Sequence, residues 1–302
     1  MYVRDESDAG LLHGVDWSGR VSGRLRLSGS VDTAAIRPSP DGSRIAVGDV
    51  VFGSSGTRIG TVGVPTAKSQ AIWADDSQHL CGLLDPSGNV VDGTREVLEY
   101  LTPGAPPRPV TNVGAIGGQQ GSSLVACSAV SDQVIVEHAV IDHLDEVLVI
   151  RLSTGEVLAT HQYGQPPSCA PSTPLCGAAV EVNSLAASPD GHLVAENYLD
   201  GHSVLRDLAS WRVLGRLPTM ITRFSWDGSR VMTVAGTAGQ PSGTVRDWAT
   251  GRTLLGPVVA SSFLARPGQS DVMVPGLGGT LALVRRDGTV QRLNGPVGTL
   301  LE

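Results

Sequence analysis

The fold is decided by the segment Asn183-Ser184-Leu185-Ala186-Ala187-Ser188-Pro189-Asp190-Gly191-His192-Leu193-Val194-Ala195. It is typical of a strand, a tight turn and a second strand, because Asp and Gly readily adopt the backbone angles of such turns. The same pattern recurs at Ser39-Pro40-Asp41-Gly42 and at Ser225-Trp226-Asp227-Gly228, and residues 72–77 and 263–268 carry weaker copies. Each copy therefore predicts an antiparallel hairpin.

A second hairpin follows these turns at a steady offset. Residues 243–255 show it best, with two strand-like runs around Thr250-Gly251, and residues 147–158, 203–214 and 281–290 are similar. Two hairpins per unit make a four-stranded antiparallel sheet, and most units repeat every ~35–41 residues, the period of a propeller blade. The sequence predicts an all-β propeller that forms one domain over residues 1–302.

The repeats resemble the degenerate WD40-like and TolB-like propeller repeats of bacteria. The resemblance rests on the Ser-Pro-Asp-Gly turn and on the later Arg-Asp-x-Ala-Thr-Gly type of turn, seen at Arg246-Asp247-Trp248-Ala249-Thr250-Gly251. The chain departs from true WD40 repeats because Asp247-Trp248 reverses the Trp-Asp order. The resemblance implies a fold and no particular activity.

The number of blades depends on how the two ends of the chain are used. Three strand-like runs, at residues 1–4, 11–15 and 21–27, precede the first complete repeat and lack an inner strand, which residues 296–301 can supply. A seventh blade built from both termini would close the ring and remove open sheet edges. Six blades with frayed ends remain the alternative. Six inner strands are expected to begin near Thr33, Gln70, Ser122, Asn183, Ile221 and Ser261.

Composition and charge exclude several classes of protein. Hydrophobic residues make up 41% of the chain and charged residues 17%, which suits a packed core, and 38 Gly and 19 Pro suit many short strands. The net charge of −7 with scattered basic residues argues against a nucleic-acid partner. No run approaches the ~18 apolar residues of a membrane span. No basic start with an apolar core marks a signal peptide, so an exported protein would carry its signal or anchor outside these residues.

Four cysteines bear on the cellular compartment. Cys169 and Cys176 bracket a proline-rich segment, while Cys81 and Cys127 lie in apolar strand-like runs of neighbouring blades, so all four are disulfide candidates. Two disulfides would place the protein in an oxidising, extracytoplasmic setting, whereas four free thiols would place it in the cytoplasm. The absence of a Cys-x-x-Cys pair argues against zinc, and we expect no metal or other cofactor.

The propeller resemblance implies that two sets of loops rise on one face around a central channel. Residues 138–146, residues 197–202 and the long insertion 163–180 map to that face, whereas a second insertion, residues 85–95, is not assigned to it. A small ligand at the channel mouth, held by metal or acid–base chemistry, is one interpretation, and ordinary solvated loops are the other. The candidate ligand-binding residues are His138, Asp142, His143, Asp145, Tyr198, Asp200 and His202.

Known catalytic signatures are missing from the sequence. It contains neither the Gly-x-Ser-x-Gly elbow of α/β-hydrolases nor a Walker-type Gly-x-x-x-x-Gly-Lys loop, so no catalytic residue is assigned. We therefore predict a non-catalytic binding or scaffolding propeller, exported or at the surface of a bacterium, whose partner is another protein or a small ligand. One alternative is a lactonase-like or lyase-like enzyme at the channel mouth. The other is a cytoplasmic sensor domain of a larger signalling protein.

Overall fold

The described part of the chain is built of antiparallel β-strands. The computed structural model describes residues 2–5, 8, 10–27, 36–62, 70–84, 96–114, 122–140, 143–163, 182–235, 242–260, 263–266, 268–275, 280–294 and 298–301. These residues form seven four-stranded sheets. The predicted insertion 85–95, and nearly all of the insertion 163–180, lie outside the described residues.

The strands are short and evenly spaced along the chain. The first fourteen are β1 (Tyr2–Asp5), β2 (Leu11–Val15), β3 (Val21–Arg26), β4 (Ile36–Pro38), β5 (Arg44–Val47), β6 (Val50–Gly53), β7 (Arg58–Thr61), β8 (Gln70–Trp73), β9 (Leu80–Leu84), β10 (Val97–Leu101), β11 (Arg108–Asn112), β12 (Ser122–Ser128), β13 (Gln133–Val140) and β14 (His143–Arg151). The others are β15 (Val157–Gln162), β16 (Val182–Ala187), β17 (Leu193–Tyr198), β18 (Ser203–Asp207), β19 (Val213–Leu217), β20 (Met220–Phe224), β21 (Arg230–Ala235), β22 (Ser242–Asp247), β23 (Thr253–Val258), β24 (Leu264–Ala265), β25 (Val272–Pro275), β26 (Thr280–Val284), β27 (Val290–Asn294) and β28 (Gly298–Leu301).

Six of the sheets each use four consecutive strands, and we call them blades 1 to 6, from β4–β7 to β24–β27. The first strand of each blade is the inner strand and the fourth is the outer strand. The remaining sheet, which we call the terminal sheet, has the order β28-β1-β2-β3 and joins both ends of the described chain. These sheets confirm the predicted all-β propeller of four-stranded antiparallel blades. Where the predicted starts of the inner strands fall on described residues, they agree with β8, β12, β16 and β20 to within about one residue.

The turn between the first and second strands has the same hydrogen bonds in several blades. In blade 1 the Ser39 hydroxyl donates to the Asp41 carboxylate at 2.8 Å and accepts from the Arg44 amide at 3.0 Å. Gly42 has φ of 72°, a left-handed conformation that side chains rarely adopt. Blades 4 and 5 repeat this arrangement around Asp190 and Asp227. The Ser-x-Asp-Gly pattern therefore fixes the register of each hairpin.

Neighbouring sheets are joined by separate clusters of buried apolar side chains. Between blades 2 and 3, for example, Leu83 and Leu98 pack against Val134 and Leu148. Five further clusters of this kind join blades 1 and 2, blades 3 and 4, blades 4 and 5, blades 5 and 6, and the terminal sheet and blade 1. Each sheet therefore buries both faces by packing between two neighbours, which is the principle of propeller stability.

The terminal sheet contacts the blade on each of its sides. Tyr2 and Leu12 pack on Ile36 and Ile45 of blade 1, whereas Val15 packs with Met273 and Leu281 of blade 6. Within the sheet, β1 pairs with β28 over four residue pairs, from Tyr2↔Leu301 to Asp5↔Gly298. The C-terminal strand thus covers the edge that β1 would otherwise expose.

Removing the C-terminal strand tests this role. We expect deletion of residues 296–302 to lower the melting temperature by roughly 5–10 °C, because the loss of a strand of this size costs a few kcal/mol. Differential scanning calorimetry would measure the shift, with deletion of Glu302 alone as the matched control. A deletion protein that melts with the parent protein would show that β28 adds nothing to stability.

Candidate functional site

A cavity of about 350 Å³ lies where the inner strands of all six blades meet. It is formed by the ends of β4, β8, β12, β16, β20 and β24 and by the turns that follow several of them. The lining residues are Arg37, Pro38, Ser39, Pro40, Ala71, Ile72, Trp73, Asp75, Val125, Ala126, Cys127, Ala187, Ser188, Pro189, Arg223, Phe224, Trp226, Phe263, Leu264 and Ala265.

The cavity lies at the end of the channel that carries the Ser-x-Asp-Gly turns, which we call the turn face. Ser39, Ser188 and Trp226 belong to those turns and line it. The ligand site predicted from the sequence lies at the opposite end, which we call the loop face, where the second and third strands of each blade join. The pairing of β16 with β17 in blade 4 shows that these are opposite ends. Ala187, which lines the cavity, pairs with Val194 at one end of the strands, and Tyr198 of the predicted site pairs with Val182 at the other. The turn residues follow the inner strands and therefore border the channel, a role that the Ser-x-Asp-Gly pattern alone does not reveal.

The walls of the cavity are mainly apolar and unusually aromatic for this chain. Aromatic residues are only 4% of the sequence, yet Trp73, Trp226, Phe224 and Phe263 all line this one space. The indole Nε1 of Trp73 donates to the carbonyl of Arg37 at 2.8 Å, which fixes the ring between blades 1 and 2. Large, rigid aromatic walls of this kind are common in small-molecule sites.

The side chain of Arg37 brings a positive charge into these apolar surroundings. Its Nη1 atom is removed from solvent and has no hydrogen-bond partner among the described residues. Burial lowers the pKa of the Arg37 guanidinium, as expected when a cation loses water. A second guanidinium, that of Arg223, also lines the cavity, although this residue is largely exposed.

The carboxylate of Asp75, which also lines the cavity, is occupied by structural hydrogen bonds. One oxygen accepts from the Ser128 hydroxyl at 2.6 Å, and the other accepts from the Ala129 amide at 2.7 Å. These bonds run from blade 2 to blade 3 and hold the turn after β12. Both oxygens of Asp75 therefore serve the joint between two blades.

On the loop face, His138 is buried and bound to a neighbouring acid. Its Nδ1 lies 2.9 Å from the Glu146 carboxylate, and both side chains are less than a tenth exposed. The predicted loop over residues 138–146 is mostly strand, since β13 runs to Val140 and β14 starts at His143. The hairpin of β13 and β14 therefore continues through most of the segment that its polar residues had predicted to be a loop.

The other candidates from this segment are placed less fully. Asp142 lies outside the described residues. His143 and Asp145 belong to strand β14, and nothing is described of their side chains. The grouping of these residues around one ligand stays a prediction.

Tyr198, Asp200 and His202 form a compact local turn. The rings of Tyr198 and His202 stack with centroids 4.3 Å apart, and the Asp200 carboxylate is paired with the His202 ring and accepts from its amide. These contacts shape the turn between β17 and β18. They bring together three of the predicted residues.

A buried acid next to this turn was missed by the sequence analysis. Glu196 is fully buried and accepts from the hydroxyls of Tyr163, at 2.6 Å, and Tyr198, at 3.2 Å, while the Arg206 guanidinium lies 2.7 Å away. Burial and the adjacent Glu196 raise the pKa of Tyr163 above its ordinary range. The sequence feature that could have predicted it is the Glu at the end of the apolar run Leu193-Val194-Ala195-Glu196, because a carboxylate among buried apolar residues needs hydrogen-bond partners.

No metal-binding constellation is found in the described part of the chain, where no three His, Cys, Asp or Glu side chains come together. Nor does any helix in that part have the length and apolar character needed to cross a bilayer. Metal ligation through His138, Asp142, His143 and His202 therefore gains no support from the described residues.

A disulfide joins Cys81 of β9 to Cys127 of β12, with Cα atoms 6.0 Å apart. It links blade 2 to blade 3 beside the cavity, and both residues are almost completely buried. This confirms one pair of the predicted disulfide candidates. Cys169 and Cys176 lie outside the described residues.

Comparison with known proteins does not assign the chain to a family. No model of a known protein family matches the chain, and no curated protein matches it significantly.

The side chain next to His138 provides a test by pH. Burial raises the pKa of Glu137 from an ordinary value of 4.5 to about 7. The folded state therefore keeps a proton that the unfolded state releases, and this contribution to stability is lost as the pH rises from about 4.5 to 7. We expect the free energy of unfolding to fall over this interval by about 1–2 kcal/mol more in the parent protein than in Glu137→Gln.

Urea unfolding at pH 5 and pH 7.5 would measure this difference. Glu156→Gln, which changes an exposed Glu of the same blade, is the matched control and should retain the pH dependence of the parent. Equal slopes for Glu137→Gln and the parent would refute the assignment.

The disulfide makes a second prediction about stability. The bridged residues are 46 positions apart, so loop-closure entropy gives a stabilisation of roughly 4 kcal/mol. We expect Cys81→Ala/Cys127→Ala to unfold at a lower urea concentration than the oxidised parent, and peptide mapping of thiol-blocked protein to recover the Cys81–Cys127 cross-link. The reduced parent, with both sulfur atoms still present, is the control for lost packing. Recovery of both thiols free from oxidised protein would contradict the bridge.

Proposed function

We propose that this chain is a non-catalytic binding propeller, exported or at the cell surface of a bacterium, that holds a small ligand at the mouth of its central channel. The single observation that carries the proposal is the aromatic-walled cavity of about 350 Å³ on the turn face. Its volume and mainly apolar walls, with few polar groups, match the usual character of small-molecule sites.

The proposed scaffold is a closed seven-bladed ring of the WD40-like and TolB-like type. Its support is the terminal sheet, which packs on blade 1 through Tyr2 and on blade 6 through Val15. The repeated Ser-x-Asp-Gly turn supports the family resemblance. A closed ring provides the rigid, preorganised channel mouth that a binding site requires.

Binding has more support than catalysis at this cavity. An enzyme of the lactonase or lyase type needs an available acid, base or metal in the channel. Among the described lining residues the carboxylate is that of Asp75, which is engaged by Ser128 and Ala129. The extracytoplasmic assignment has independent support from the Cys81–Cys127 disulfide, because such bonds persist mainly in oxidising compartments.

Filling the cavity tests the proposal. Ala187 lies at the end of β16 and lines the cavity, so Ala187→Trp should occupy a large part of it. With the neutral apolar dye N-phenyl-1-naphthylamine, we expect saturable one-to-one binding by the parent protein. Ala187→Trp should weaken that binding by at least about tenfold, measured by fluorescence titration.

Two further variants control this experiment. Ala249→Trp places the same side chain on an exposed turn and should bind the dye like the parent. Ala126→Phe fills the cavity from the inner strand of blade 3, which keeps the test valid if Ala187→Trp does not fold. Dye binding that is unaffected by both cavity variants, or absent from the parent, would reject the channel mouth as the site.

A further inference from the structure

The charges around the cavity indicate which ligands it selects. The chain as a whole carries a net charge of −7, but the described residues that line the cavity include two arginines and one aspartate. Asp75 is turned into the joint between blades 2 and 3 by its bonds to Ser128 and Ala129. The cavity is therefore a locally positive site in an acidic protein.

Arg37 has a buried N–H donor group without a hydrogen-bond acceptor among the described residues. A guanidinium has five N–H donors, and a buried donor without an acceptor loses its hydration and gains nothing in return. The Nη1 of Arg37 is in this state among the described residues, in contrast to Arg44, whose Nη1 and Nη2 both donate to Gln78. Nη1 itself has almost no surface that a ligand in the cavity can reach, but no ion pair of Arg37 is found among the described residues, so its positive charge is uncompensated there. An anionic ligand in the cavity would supply the missing counter-charge through a charge-assisted contact with the guanidinium.

The remaining lining residues limit the body of that ligand. Trp73, Trp226, Phe224 and Phe263 offer rings, and the Ala, Val, Ile, Leu and Pro residues offer aliphatic surface. A sugar or an inorganic phosphate would find too few polar partners on such walls to replace its hydration. A flat apolar body would bury its surface against them at a gain of roughly 25 cal/mol per Å².

We propose that the cavity selects a small organic monoanion, with an apolar or aromatic body between the aromatic walls and a carboxylate or sulfonate on Arg37. This inference rests on the proposed function, because it names the ligand class of that same site. Arg223 adds positive potential near the solvent side of the cavity, which favours entry of anions over cations.

A matched pair of dyes tests the charge preference separately from binding itself. 8-Anilino-1-naphthalenesulfonate is N-phenyl-1-naphthylamine with one added sulfonate, so the two differ only in the anionic group. We expect the parent protein to bind the sulfonate at least about tenfold more tightly than the neutral dye, in one-to-one complexes that Ala187→Trp weakens. This ratio requires no substitution at Arg37.

The variant Arg37→Gln then assigns the preference to its residue. It should weaken sulfonate binding about tenfold while changing neutral-dye binding less than about twofold, and Arg37→Lys should recover part of the loss. Arg212→Gln removes the same charge from an exposed position and should bind both dyes like the parent.

The possible outcomes separate the two proposals. Equal affinity of the parent for both dyes, or an equal loss of both in Arg37→Gln, would overturn the monoanion inference while leaving the cavity as a binding site. Saturable binding of neither dye would overturn the proposed function and the inference together.

Discussion

The structure depends on one constraint: a four-stranded sheet with two apolar faces cannot bury either face by itself. In blade 2, Trp73 and Leu101 face blade 1, whereas Leu83 and Leu98 face blade 3. Each blade is therefore stable only between two neighbours, and the sheets must continue until the first and last surfaces are covered. The terminal sheet supplies that cover through Tyr2, Leu12 and Val15, and β28 completes this sheet by pairing with β1.

Polar contacts between blades add specificity to this packing, and they explain why the turns are more than connections. The Asp41 amide donates to the Ser77 hydroxyl of blade 2, Asp75 holds the turn of blade 3, and the Ser270 hydroxyl donates to Asp227 of blade 5. Apolar packing alone would permit neighbouring sheets to slide, whereas hydrogen bonds at the turns fix their relative height. The turn face is thus held in register, and a cavity built from it has a defined shape.

The fold could be predicted from the sequence because its signals are local and repeated. Ser39-Pro40-Asp41-Gly42 and its copies define hairpins through backbone angles that a single sequence reveals. The candidate site could not be predicted in the same way, since it depends on how side chains from distant repeats converge. Polar residues such as His138 suggested an exposed loop, but its partner Glu146 lies on the adjacent strand and both are buried. The hydropathy pattern predicts neither a side-chain hydrogen bond between two strands of a hairpin nor the end of the channel at which a cavity forms.

The two charged residues Asp75 and Arg37 of the cavity differ in whether their polar atoms have partners in the protein. Asp75 satisfies its oxygens with Ser128 and Ala129 and so strengthens the joint between two blades. Arg37 has no equivalent partner for Nη1 among the described residues, so burial of this N–H group carries an energetic penalty. An apolar residue of similar size would pack in this position without that penalty. A half-buried cation with an unpaired Nη1 supports the proposed binding site, since proteins tolerate such local costs mainly at functional sites.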